Sequence, residues 1–207
     1  MESVEDQANS GPIEANPELL GRMFIVNVAA HLEGLEKSAQ ETGIVINDEQ
    51  WGHLFRQVCL FYDALWYCIL LKRIIEIRKI APDEASLYVN TLRQKIMEEI
   101  REEESFRDYW RFWDASQQDV EGDISLYMNG VIPEQCVEDF QKILNATQVK
   151  RDGSILELIA RLHMRTYQIL GLFPKLDPMG MLIWWNRQAH YALGVAEIMT
   201  SKIIPTL

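Results

Sequence analysis

The chain has 207 residues, of which 48% are apolar and 25% are charged, and its formal net charge is −11 at pH 7. This composition is typical of a globular protein with one sizeable core. Seven Pro and eleven Gly are too few for the frequent turns of an all-β protein, so we expect an all-α fold with a single domain over residues 17–207.

The start of the chain is acidic and lacks the features of a targeting signal. Residues 1–18 contain five acids and no base, without an apolar run, so we expect a disordered acidic tail over residues 1–16. The longest nearly apolar run, Val58 to Leu71, is interrupted by Asp63 and is shorter than the roughly 20 residues that cross a bilayer. The sequence therefore predicts no membrane contact.

The three cysteines favour a reducing compartment. None belongs to a C-x-x-C pair, and Cys59 and Cys68 are nine residues apart on one predicted helix, so they point to opposite sides and cannot form a disulfide. We therefore expect a cytoplasmic protein.

The first predicted helix covers residues 17–42. Asn16 is a typical N-cap, Pro17 suits the first helical position, and Gly43 suits the position after the last turn.

The second predicted helix is the longest. Asn47 and Gln50 have the spacing of a capping box, and no Gly or Pro interrupts the chain from His53 to Ala81. Pro82 is expected to end this helix at the preceding residue.

Further segments complete a predicted bundle of six or seven helices. The segment after Pro82 has one apolar face, and Ser154 with Glu157 form a second capping box. The expected elements are a helix after Pro82, its continuation or a kinked fourth helix through residues 106–113, a short helix over 133–146, and helices over 154–172 and 179–203.

Acidic residues are concentrated rather than spread. The stretch from Glu98 to Asp123 holds ten Asp or Glu against three Arg, and together with residues 1–18 it carries a net −12, which leaves +1 for the rest of the chain. Such a cluster on a helix makes a local anionic surface that attracts a basic partner, most strongly at low salt. A solvated face that keeps the protein soluble explains the same run equally well.

Five aromatic residues between Phe106 and Trp113 are interleaved with charges. A platform for stacking bases also needs a positive groove for phosphates, and this neighbourhood is strongly negative, so we expect no direct nucleic-acid binding. Five aromatics in eight residues cannot all face inward on a helix. We therefore expect Trp110 or Trp113 to remain at the surface as an apolar anchor for a protein partner.

These observations predict a non-enzymatic interaction protein, an adaptor or inhibitor, that docks on a basic protein, such as one that itself binds nucleic acid. The predicted partner-binding residues are Glu98, Glu99, Glu102, Glu103, Asp108, Trp110, Trp113 and Asp114.

Histidines on apolar helix faces suggest an alternative function. His31 and His163 fall among apolar residues, where a ring nitrogen needs a partner, whereas His190 lies on a narrow polar stripe that is either solvated or faces a cleft. A core histidine bonded to a tyrosine or a carbonyl also explains such positions. The alternative is a ligand- or metal-binding protein or an enzyme with a site between helices, lined by His31, Asp63, His163 and His190, with Arg187 as a partner for Asp63.

No sequence motif supports a particular reaction. Neither Glu-x-x-His nor His-Glu-x-x-His occurs, so we predict no metal site and no cofactor, and a protein that is not an enzyme is the favoured hypothesis. A third hypothesis is a homo-oligomer that uses the surplus aromatic residues as its interface.

Overall fold

The structure, a computed structural model, describes residues 16–102, 153–172 and 175–203. This part of the chain is helical and contains no strand, which confirms the predicted all-α class. It holds five α-helices and a final π-helical turn, whereas the segments predicted at 106–113 and 133–146 lie outside it. The elements are α1 (Pro17–Thr42), α2 (Asp48–Arg78), α3 (Pro82–Glu102), α4 (Gly153–Leu170), α5 (Pro178–Ile198) and the π-helical turn Met199–Ile203.

Both ends of α1 are confirmed as predicted. The Asn16 side chain accepts a hydrogen bond from the Leu19 amide at 2.8 Å, so one of the free donors at the helix start is satisfied. Gly43 has φ of 68°, a left-handed conformation that glycine adopts without steric cost, and it turns the chain out of the helix.

The start of α2 is also confirmed, but its end is not. Asn47 and Gln50 form the full capping box, with each side chain bonded to the other residue's backbone amide. The predicted end at Ala81 is wrong: α2 ends at Arg78 because Lys79 takes the left-handed conformation, with φ of 54°. A glycine is the usual residue there, so the sequence gives no warning of this stop.

The last two helices also differ slightly from their predicted bounds. Helix α4 ends at Leu170 because Gly171 takes a left-handed conformation, with φ of 59°. The last helix begins at Pro178, where the Asp177 side chain accepts a hydrogen bond from the Gly180 amide at 2.7 Å. It widens to the π form from Met199 onward.

Four helices form a closed set of neighbours around the core. Helix α1 packs on α2 and α5, and α4 also packs on α2 and α5, while α3 lies outside this set against α1 and α2. All five helices contribute to one continuous apolar core. Its largest fully buried side chains are Trp184, Tyr62, Phe61, Leu20, Leu35 and Leu54.

Candidate functional site

The outer helix α3 presents the described part of the predicted acidic surface. Its inward residues recur at helical spacing, and its last two turns carry Glu98 and Glu99 on the outside, where both are exposed. The buried residues of α3 are Ala85, Val89, Leu92, Ile96 and Ile100, all within the predicted apolar face.

A buried ion pair fixes α3 to α2. Arg93 of α3 donates from Nε to Oδ1 of Asp63 at 2.6 Å and from Nη2 to Oδ2, so its guanidinium holds the carboxylate with two parallel hydrogen bonds. The Asp63 side chain is only 4% exposed and that of Arg93 is 24% exposed. The guanidinium also lies over the Tyr67 ring, 5.5 Å from its centroid, and Tyr67 is itself bonded to Ser86 of α3 at 2.8 Å. These contacts hold α3 in one register on α2.

The far end of α3 lies close to the start of α1. A Cβ placed on Gly21 would be 3.4 Å from Cβ of Glu99 and from Cγ1 of Ile100, so the small glycine lets the two helices approach. Within the described residues, Glu98 and Glu99 form no ion pair. The nearby Arg22 of α1 is bonded to Glu18 at 2.8 Å. Two carboxylates are therefore held in solvent on a fixed backbone.

The side chains of the remaining predicted partner-binding residues lie outside the part of the chain that the structure describes. Glu102 is the last residue of α3, and its side chain is not described. The others, Glu103, Asp108, Trp110, Trp113 and Asp114, lie outside the described residues.

The alternative site begins with His31, which is fully buried between α1, α2 and α5. Its Nδ1 is 3.0 Å from the hydroxyl of Tyr62, and its ring lies 5.9 Å from that of Tyr191. The explanation of a core histidine bonded to a tyrosine is therefore confirmed for His31. Burial lowers the pKa of His31 to about 3, and burial, with Tyr191 close by, raises the pKa of Tyr62 far above its usual range. The imidazole is a neutral structural group near pH 7.

His163 is buried as predicted, but its surroundings differ from those of His31. Its ring centroid is 4.1 Å from that of Tyr167 on its own helix and 5.2 Å from that of Trp185 on α5. Burial lowers the pKa of His163 to about 3. The ring is therefore neutral and packed between aromatic side chains.

Asp63 and His190, the other two residues of the alternative site, also lie in different surroundings. The suggested pairing of Asp63 with Arg187 is wrong, because Asp63 is held by Arg93 and Arg187 donates to Glu41 at 2.7 Å. His190 is exposed on the outer side of α5. None of the four predicted residues is hydrogen-bonded to another.

Sequence reasoning missed the residues that organise these regions. Arg93 could have been suspected, because it falls between Val89 and Ile96 on the buried side of α3. Tyr191 gave no such signal, since its position against α1 depends on how two distant helices pack.

The described residues offer little that points to a reaction. They contain no cluster of three or more His, Cys, Asp or Glu that could hold a metal ion. Burial raises the pKa of the Cys59 thiol well above its usual value, with Asp63 adding to the effect, so that thiol is a poor nucleophile. No described helix has the length and apolar character needed to cross a membrane. No protein-family model matches the chain, and no curated protein or solved structure matches it.

Proposed function

We propose that this protein is a non-enzymatic acidic interaction protein that docks on a basic protein through the end of α3. The observation that carries the proposal is the pair Glu98 and Glu99, which are exposed and form no ion pair within the described residues. They begin the stretch to Asp123 in which ten of the chain's acids are gathered.

The anchoring of α3 supports this proposal physically. A carboxylate on a fixed helix keeps its place when a partner approaches, so little ordering of the helix has to accompany binding. Exposed charges of this kind raise the association rate and give a marked dependence on salt, more than they raise the affinity itself.

The expected partner surface is rich in Lys and Arg. A nucleic-acid-binding protein has such a surface, and an acidic helix that covers it would act as an inhibitor or adaptor. Trp110 or Trp113 remains our prediction for the apolar anchor that adds specificity to this charge attraction.

Charge reversal at the two described carboxylates tests the proposal. The variant Glu98→Lys with Glu99→Lys should weaken binding to a fluorescent Lys- and Arg-rich peptide, measured by anisotropy at low salt. The matched control is Glu36→Lys with Glu197→Lys, since these acids are exposed, form no described ion pair and change the net charge by the same amount.

The two variants separate a local surface from overall charge. If the α3 variant loses much more affinity than the control, the acidic end of α3 is the docking surface. Equal losses would show that only the net charge attracts the peptide, and the proposal would then be wrong. Adding Glu102→Lys and Glu103→Lys should deepen the loss in the α3 variant.

A further inference from the structure

Helix α5 covers both buried histidines. His31 on α1 meets Tyr191 with 5.9 Å between ring centroids, and His163 on α4 meets Trp185 with 5.2 Å between them. Tyr191 and Trp185 both belong to α5, so this one helix lies over two imidazoles that come from different helices. Departure of α5 would remove an aromatic neighbour from each.

Within the described ranges, no anion contacts His31 that would stabilise its charged form. Facing it are Tyr62 on α2 and Tyr191 on α5, both phenols. The carboxylate beside Tyr62, that of Asp63, is held by Arg93 of α3. On α1 itself, Glu33 and Lys37 pair with each other at the surface, 2.6 Å apart.

Among the described residues, His163 likewise contacts no carboxylate. Tyr167 and Trp185 face its ring, and on α4 Glu157 is bonded to Arg161 at 2.6 Å. Gln50 lies on the side of α2 that packs against α4, since its Nε2 donates to the Ile169 carbonyl at 3.2 Å. At helical spacing this side continues through Leu54, Gln57 and Phe61, which carry no charge. On α5, Arg187 is bonded to Glu41 of α1.

Protonation of either ring therefore requires contact with water. Burial holds the pKa of both His31 and His163 at about 3, whereas a histidine in water has a pKa near 6.5. Between these values a state in which the rings are hydrated binds protons that the packed state does not bind.

Helix α5 also carries a buried polar side chain that has no hydrogen-bond partner within the described residues. Gln188 is 1% exposed, and neither Nε2 nor Oε1 of its amide has a hydrogen-bond partner within the described residues. Water would satisfy this amide if α5 moved away, which favours the released state. Helix α3 is fastened to α2 by the Asp63–Arg93 pair, and among the described residues neither histidine has a hydrogen bond or ring contact with α3.

We propose that α5 is an acid-released helix. When His31 and His163 are protonated, α5 separates from α1 and α4, while α3 stays packed on α1 and α2. This inference is independent of the function proposed for α3. Release would expose the inner face of α5, including the buried Trp184, Ala192 and Val195, and so create an apolar surface only in acid.

Amide hydrogen exchange of the full chain, measured by mass spectrometry between pH 7 and pH 5, tests this. The amides of α3 serve as the internal reference, because intrinsic exchange rates change with pH in the same way for both helices. Each histidine should raise the opening of α5 about tenfold per pH unit below pH 6.5, so the two together give about a hundredfold per unit.

Substitution of the histidines gives the second readout. His31→Gln or His163→Gln alone should reduce the rise to about tenfold per pH unit, and the double variant should abolish it. His190→Gln, an exposed position on α5 itself, is the matched control and should keep the full rise. If α3 loses protection together with α5, or if the single variants keep the full pH dependence, the inference is overturned, and the single variants suffice if the double variant does not fold.

Discussion

The ring of Tyr191 on α5 lies directly against the backbone of α1 at Gly34. A Cβ placed on Gly34 would clash with Cε2 of Tyr191 and would lie 3.0 Å from its Cδ2, so α1 and α5 can approach this closely only because residue 34 has no side chain. Gly194 on α5 is a contrasting helical glycine, since a Cβ there would meet nothing within 4 Å.

We expect Gly34→Ala to destabilise the protein by about 1–3 kcal/mol, because the ring has to shift out of a packed site. Gly194→Ala should instead stabilise it by about 0.5–1 kcal/mol, since alanine is the better helix former and space is available. Urea unfolding followed by circular dichroism measures both changes. In a Tyr191→Ser background, Gly34→Ala should no longer be destabilising; a persistent loss there would contradict the assigned contact.

The Asp63–Arg93 pair gives a second prediction. Arg93→Met should cost about 3–5 kcal/mol, because it leaves the nearly buried Asp63 carboxylate without its counterion. The double variant Asp63→Leu with Arg93→Met should recover most of this loss, since no unpaired charge remains.

The control for this pair is the exposed ion pair Glu33–Lys37, whose side chains are 60% and 51% exposed. Lys37→Met should cost less than about 1 kcal/mol, because water screens the charge that remains. Equal losses for Arg93→Met and Lys37→Met in urea unfolding would show that burial of the Asp63 pair has no energetic weight.

These two contacts show where sequence reasoning succeeds and where it stops. The bounds of α1 were predictable because Asn16 and Gly43 act on their own helix ends, through local hydrogen bonds and a local φ. Helical spacing also placed His31 and His163 in the core. Spacing along one helix says which side a residue faces but not which helix lies there, so it could not pair Asp63 with Arg93 and wrongly suggested Arg187.

The left-handed residue that ends α2 gives a third prediction. Lys79 has φ of 54°, and it is the only residue other than glycine with positive φ in the part of the chain that the structure describes. Lys79→Gly should stabilise the protein by about 1 kcal/mol, because glycine removes the Cβ strain of this conformation. Gly43→Ala is the reverse experiment at an equivalent helix end and should cost a similar amount. Thermal unfolding that shifts in the same direction for both variants would contradict this explanation.

The two buried histidines predict how overall stability depends on pH. Burial lowers the pKa of His31 and of His163 from 6.5 to about 3, so between these values the unfolded chain binds protons that the native state does not. The stabilisation by the neutral rings is therefore complete above pH 6.5 and is lost as the pH falls toward 3. Each histidine should lower the free energy of unfolding by about 1.4 kcal/mol per pH unit within this window.

Urea unfolding between pH 7.5 and pH 5 isolates this contribution, because carboxylates in the unfolded chain titrate mainly below this range. His31→Gln and His163→Gln should each remove about half of the slope, whereas His53→Gln, at an exposed position on α2, should leave it unchanged. A slope that survives in both buried-site variants would mean that other groups set the acid sensitivity. A variant with a smaller pH slope of the free energy of unfolding, but with unchanged stability at pH 7.5, would show that glutamine can replace the imidazole as a packing group. The proton affinity of the imidazole alone would then make the fold sensitive to acid.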